Sequence, residues 1–311
     1  FWRTPRCLLC HQTRRTSTPG PRSRQCHLRS NTCRQQSRNS PTGEPRTNKR
    51  NTPQQNSATT DGQANKHSRS SEGEPSKPTK TQPAMITSVR VPWTGGVIHA
   101  LHVAARAAAP SFVAVFVHGA DREFQNAEHW RPYLPAFASA FPAAELYAVD
   151  LPGHGLSEPG AKAPQPPSDA ETVQSLASFI GHVARQRPLV LFGRSKGGRQ
   201  VFQAVCAAPA LQDTLAALVL VAPAVNKPFM DLLPSRVRNT RTLLFWALDD
   251  PVVPFATHQT LLDSMPNVKF HSFGAVLGEG ETAKWKAHCP ENERPDDFHE
   301  TTTAFLRSVF A

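Results

Sequence analysis

Gly193-Arg194-Ser195-Lys196-Gly197-Gly198 follows directly on the apolar run PLVLF at 188–192 and leads into RQVFQAVCAAPAL at 199–211, whose apolar residues recur at helical spacing. A short, continuous apolar run suits a strand buried on both faces of a sheet, so this G-x-S-x-G stands between a strand and a helix. A serine on so sharp a turn is held in a strained backbone conformation and needs small residues two positions before and two after it. Gly193 and Gly197 supply them. The turn lifts the Ser195 hydroxyl above the sheet and aims the amide of Lys196, at the helix start, toward the same point. Taken alone, the pattern also fits a glycine-rich turn with an ordinary helix-capping serine, and the rest of the chain has to decide.

Runs like PLVLF recur on both sides. FVAVFVHG (112–119), ELYAVDLPG (145–153), ALVLVAPA (217–224) and TLLFWALDD (242–250) read as buried strands, and ETVQSLASFIGHVARQ (171–186) as one of the helices between them. Upstream, ITSVRV and VIHALHVA flank Thr94-Gly95-Gly96 and read as an antiparallel pair. VKFHSF (268–273) and FHETTTAFLRSVF (298–310) add a last strand and a terminal helix. The alternation predicts an α/β fold of about eight strands, mostly parallel and covered by helices on both faces, with functional groups at the carboxyl ends of the strands.

Four further stretches settle what kind of α/β fold this is. In FVHGAD, His118-Gly119 closes the third strand and Ala120 follows; Asp150-Leu151-Pro152-Gly153-His154-Gly155-Leu156-Ser157 closes the next strand; ALDDPVVP and AHCPENERPDDF come later in the chain. With the G-x-S-x-G these resemble the motifs of the α/β-hydrolase family over essentially all of residues 86–311. The resemblance implies that Ser195 is a nucleophile, that Asp250 in ALDDPVVP is its acid with Asp249 as rival, and that His288 is its base. Glu293, Pro295 and Phe298 stand in register, and Ala287 replaces the usual glycine. It further implies that the amides of Ala120 and Lys196 form an oxyanion hole, that His118 and Gly119 are structural, and that the Asp150 loop is structure rather than chemistry, with His154 on its surface. The chain order Ser195, Asp250, His288 is the one expected of this fold.

That constellation implies acyl-enzyme chemistry: His288 takes the Ser195 proton during attack on a carbonyl, Asp250 fixes the imidazole tautomer, and water releases the acyl group. Serine at the nucleophile position argues against the dehalogenase and epoxide hydrolase branches, which the family builds on aspartate. Only NKPFMDLLPSRVRNTR (226–241) separates the sixth and seventh strands where many relatives insert a helical cap. The chain is thus similar to capless members such as CCG1-interacting factor B-like hydrolases, and an open site suits small acyl esters or thioesters. The competing reading is a non-catalytic or acyl-transferring binding module on the same fold.

Charged residues around the nucleophile, Arg194, Lys196 and Arg199, read either as a lure for an anionic substrate or, more simply, as solvated charges on the first turn of a helix. HWRPYLPAFASAF (129–141) reads as the core face of the first crossover helix, with Trp130 and Tyr133 in the core or at the pocket mouth. Histidines 99, 102, 182, 258 and 271 read as structural.

Composition divides the chain. Residues 1–84 hold sixteen Lys and Arg against four Asp and Glu, whereas the remainder holds nineteen against twenty, so the net charge of +11 resides in the leading segment. Rich in Arg, Ser, Thr, Pro, Asn and Gln and without Val or Ile, that segment cannot bury enough apolar surface to offset its ordering entropy, and disorder is expected. Three readings of it stay open: a mitochondrial transit peptide, a basic arm acting through charge, and upstream sequence ahead of a native start at Met85. The neutral remainder, expected as an α/β-hydrolase domain over 85–311, gives no reason to expect a specific nucleic-acid partner. The C-x-x-C at Cys7 and Cys10, with Cys26 and Cys33, lacks a hydrophobic framework and is read as chance, so no metal and no cofactor are expected. Cys206 and Cys289 read as free thiols of a reducing compartment, hence the cytoplasm, or the mitochondrion if the presequence is genuine. No apolar run reaches the ~20 residues needed to span a bilayer. Oligomeric state is not legible.

Overall fold

A computed structural model of the chain describes residues 84–121, 125–159, 165, 167–275 and 283–311. The chain divides into two units, Phe1–Glu74 and Pro75–Ala311, and every described residue lies in the second. The basic segment, apart from Ala84, and its four cysteines lie outside the described residues.

Eight strands form one sheet: β1 (Thr87–Trp93), β2 (Gly96–Val103), β3 (Phe112–Val117), β4 (Ala144–Val149), β5 (Leu189–Arg194), β6 (Leu215–Val221), β7 (Arg241–Trp246) and β8 (Val268–Ser272). Their order is β1-β2-β4-β3-β5-β6-β7-β8. The β1–β2 and β2–β4 pairings are antiparallel and the other five are parallel. Every residue of β3 and β5 is buried, as continuous apolar runs require, while β1 and β8 at the two edges are half-exposed.

The helices are α1 (Leu134–Ala140), α2 (Asp169–Ala184), α3 (Lys196–Ala207), α4 (Pro209–Thr214), the single turns α5 (Lys227–Met230) and α6 (Ser235–Arg238), α7 (His258–Ser264), α8 (Ala283–His288), the turn α9 (Pro290–Glu293) and α10 (Pro295–Phe310). They divide the core in two. Val113, Val115 and Val117 of β3 face one layer with Leu176, Phe179 and Ile180 of α2 and Val201, Phe202 and Val205 of α3. Phe112, Ala114 and Phe116 face the other, with Leu134 and Phe137 of α1 and Phe298, Phe305 and Leu306 of α10. The period of two along β3 assigns each residue to its layer.

One local detail departs from the sequence reading, and a second gives it form. The helical run 199–211 breaks at Ala208, because Pro209 cannot continue the helix and instead opens α4 at its first position. The segment 226–241 folds as α5 and α6 and buries Met230, Leu233 and Val237 against the α2–α3 layer, so it lies down on the domain and builds no large cap. Trp130, on a 3-10 turn Ala127–Trp130, is fully buried among Phe116, Phe192 and Phe298, and Tyr133 is buried beside it: both belong to the core.

Candidate active site

β5 ends at Arg194 and α3 begins at Lys196, leaving Ser195 alone on the turn with φ 52° and ψ −123°. A side chain there is strained, at about 1–3 kcal/mol, and the surroundings hold it in place. The Ser195 N–H donates to Val221 O at the end of β6 (2.9 Å), and its carbonyl accepts from Gly198 N (3.0 Å) and Ala224 N (2.9 Å). The flanking glycines are demanded by close approach. A Cβ on Gly193 would stand 2.6 Å from Gly198 Cα, and one on Gly197 would overlap the His118 carbonyl oxygen. Helix α3 therefore starts pressed against the end of β3.

At that end, His118 is buried and its ring bridges two loops: Nδ1 donates to Gly119 O (2.8 Å), and Nε2 accepts from Leu151 N (3.1 Å). This pattern fixes the neutral tautomer. Burial, aided by the neighbouring His154, holds its pKa well below the usual histidine range. Gly119 lies over the Arg194 guanidinium, and a Cβ there would come 2.7 Å from Nη2 and 3.5 Å from Ser195 Cβ. Ala120 follows as an exposed residue.

The Asp150 loop is structural, as the sequence suggested. The Asp150 carboxylate accepts from Ala127 N (2.6 Å) and Leu156 N (2.7 Å) and meets His99 Nδ1 at 2.8 Å, joining the segments after β3 and β4 to β2. His154 is not on the surface as expected. It is buried, with Nδ1 at 2.9 Å from the Gln125 carbonyl, because the loop folds inward over the segment after β3.

Asp250 and His288 come together at the end of β7. Asp250 Oδ2 lies 2.8 Å from His288 Nδ1, and both side chains are buried. The other carboxylate oxygen accepts from Val252 N (2.8 Å) and Val253 N (3.0 Å), so the turn at ALDDPVVP grips Asp250 from beneath. Asp249 is half-buried beside it.

Of the charges next to Ser195, only Arg194 departs from the reading of a solvated first turn: Lys196 and Arg199 are partly exposed on α3. Lys196 pairs with Asp169 of α2 (2.7 Å), and the Arg199 guanidinium stands 5.4 Å from the Phe229 ring centroid. Arg194 is 1% exposed. It is the last residue of β5, and its guanidinium donates to Cys289 Sγ (2.7 Å) and to Gln125 Oε1, with Nε 3.7 Å from Glu291 Oε1. Glu291, fully buried, also meets His129 Nε2 at 2.9 Å. Sequence reasoning did not single out Gln125, His129 or Glu291, and marked Glu293 instead, which pairs with Lys286 at 3.7 Å near the surface. Burial lowers the His129 pKa and pushes the Cys289 thiol up to about 12.

A model of the alpha/beta hydrolase family matches residues 114–307. No curated protein matches the sequence. Among solved structures, a predicted CIB-like hydrolase from Thermoplasma acidophilum is similar at 20% identity and a TM-score of 0.55, over 72% of this chain and 99% of that one. An alpha-beta serine hydrolase homologue from Coxiella burnetii is similar at 15% identity and 0.53, over 71% and 96%. A mutant of the haloalkane dehalogenase DatA from Agrobacterium tumefaciens is similar at 13% and 0.53, over 71% and 97%. At these identities the likenesses concern the fold, which thus accommodates more than one chemistry.

Proposed function

The chain belongs to the α/β-hydrolase family, and from that premise we propose that it is a serine hydrolase cleaving carboxylic esters or thioesters of small acyl groups through an acyl-enzyme on Ser195. The reading rests on one observation above all: the buried 2.8 Å contact of His288 Nδ1 with Asp250 Oδ2, in a chain that also holds a serine strained on the turn after β5. With Nδ1 engaged by the carboxylate, Nε2 is the nitrogen free to accept the Ser195 proton and later to return it to the leaving group. The second oxygen of Asp250 already takes two backbone N–H groups, which hold the carboxylate in place against the imidazole. The amides of Ala120 and Lys196 are our candidates for the oxyanion hole, each worth about 10² to 10³ in rate.

Serine, rather than aspartate, at position 195 separates this chemistry from that named for the dehalogenase relative, since an ester formed on an enzyme carboxylate is a different intermediate. The segment 226–241, which lies down on the domain and builds no large cap, supports small or presented acyl substrates. We assign the activity to residues 85–311 and, from the free thiols Cys206 and Cys289, a reducing compartment such as the cytoplasm. Among the described residues no helix is long and apolar enough to cross a membrane.

The test is direct. The protein should hydrolyse a short p-nitrophenyl ester and be labelled by a fluorophosphonate, and Ser195→Ala should abolish both; turnover surviving in that variant would refute the assignment.

A further inference from the structure

Arg194 is an expensive residue to place where it stands. It and Glu291 are 1% and 0% exposed, and their closest approach, Nε to Oε1 at 3.7 Å, is loose for a buried pair. Arg194 Nε and Glu291 Oε2 have no hydrogen-bond partner among the described residues. Taking such groups from water is costly, and apolar residues of the same volume often serve stability as well or better. Fold stability alone does not account for the pair.

Its connections do. The Arg194 backbone adjoins the nucleophile, and its guanidinium contacts Cys289, the residue after His288, and Gln125, in the segment beyond Ala120. Its Nη2 lies under Gly119, where no Cβ would fit. Glu291, the other half of the pair, ties the same region to His129 of the 3-10 turn. A planar guanidinium with fixed donor directions thus joins three segments: the nucleophile turn, the loop of the base, and the chain bearing the first oxyanion amide. Burial lowers the pKa of His129, the third member of the cluster.

We infer that Arg194, with Glu291 and His129 behind it, is a positioning residue: a buried strut that fixes the His288 loop and the Gly119–Ala120 segment relative to Ser195. The inference rests on the assignment of Ser195 and His288 proposed above. Neither Arg194 nor Glu291 meets substrate. The strut acts by holding distance, and misplacement of a catalytic group by about 1 Å can cost on the order of 10²-fold in rate.

The experiment compares the full chain with Arg194→Met/Glu291→Met, which removes both charges and keeps volume, and with Arg194→Lys, which keeps the charge and loses the fork. Thermal melts, kcat and KM on a short p-nitrophenyl ester, and the fluorophosphonate labelling rate are read for each. The double variant should fold with a melting temperature close to that of the native protein, while kcat and labelling fall by about 10²-fold and KM stays put, the signature of lost transition-state positioning. Arg194→Lys should fall in the same direction with a smaller loss. Native-like kcat in either folded variant overturns the strut, and so does loss of folding in both, which would make the cluster a structural support only. If the native protein is not labelled at all, the serine assignment itself has failed, an outcome distinct from labelling that persists at full rate in the variants.

Discussion

Asp249 and Asp250 are neighbours in sequence with different surroundings, and only one of them meets His288. Asp250 is 5% exposed and anchored by two backbone N–H groups, so Asp250→Asn would preserve its shape while presenting the wrong hydrogen-bonding partner to the imidazole. We expect Asp250→Asn to lower kcat by about 10⁴-fold, the scale seen when a triad acid is neutralised in place, while Asp249→Asn changes kcat by less than about threefold. Equal losses in p-nitrophenyl ester assays of the two variants would mean that the carboxylates share the role. At this scale the sequence was most legible where a residue's neighbours in the chain also determine its conformation: the glycines around Ser195, and Asp250 before Val253-Pro254. It was least legible at Arg194. Whether an arginine beside a nucleophile is solvated depends on partners such as Gln125 and Cys289, 69 and 95 residues away, which no local pattern announces.

All eight strands could be read as apolar or alternating runs, because a strand buried on both faces is lined mostly by apolar side chains and one at a sheet edge alternates. The single-turn helices α5 and α6 could not, since four residues carry no helical period and their place is set by Met230, Leu233 and Val237 reaching the core. Helix α2 carries its own start signal. Ser168 Oγ accepts from Glu171 N (3.2 Å) and Glu171 Oε2 accepts from Ser168 N (2.8 Å), a reciprocal capping box. Ser168→Ala should cost about 1 kcal/mol of stability in urea unfolding and leave ester turnover unchanged. A drop in kcat without a shift in the unfolding midpoint would instead tie the start of α2 to the site, where Asp169 meets Lys196.

Across the whole molecule, the two core layers enclose histidines that folding keeps neutral. His118 and His129 both have lowered pKa values, burial being the first cause in each. Below their ordinary value of about 6.5 the unfolded chain takes up protons that the folded chain refuses, so stability falls as the pH is lowered, by as much as about 1.4 kcal/mol per pH unit per histidine until the folded values are reached. Urea midpoints measured at pH 7.5, 6.5 and 5.5 should fall in that order, and His118→Asn, whose amide can still donate and accept, should flatten the decline. A constant midpoint over this range would mean that water reaches these rings. Fold and family were legible at this scale from the order of four motifs along the chain, whereas acyl length and leaving group are properties of pocket shape, which depends on how distant loops meet.

The turn at Ser195 also bears on how this chain can vary. Its backbone angles, φ 52° and ψ −123°, are those at which glycine alone is comfortable, so mutation combined with selection for folding alone would carry the position toward glycine. A lineage that kept the fold and no longer needed the hydroxyl would have a downhill path there, through a single substitution that relieves strain at the centre of the sheet. Serine on this turn thus stands against the grain of stability, and a comparison of position 195 among sequences that share the His288 and Asp250 motifs would separate working hydrolases from folds that have been put to other uses.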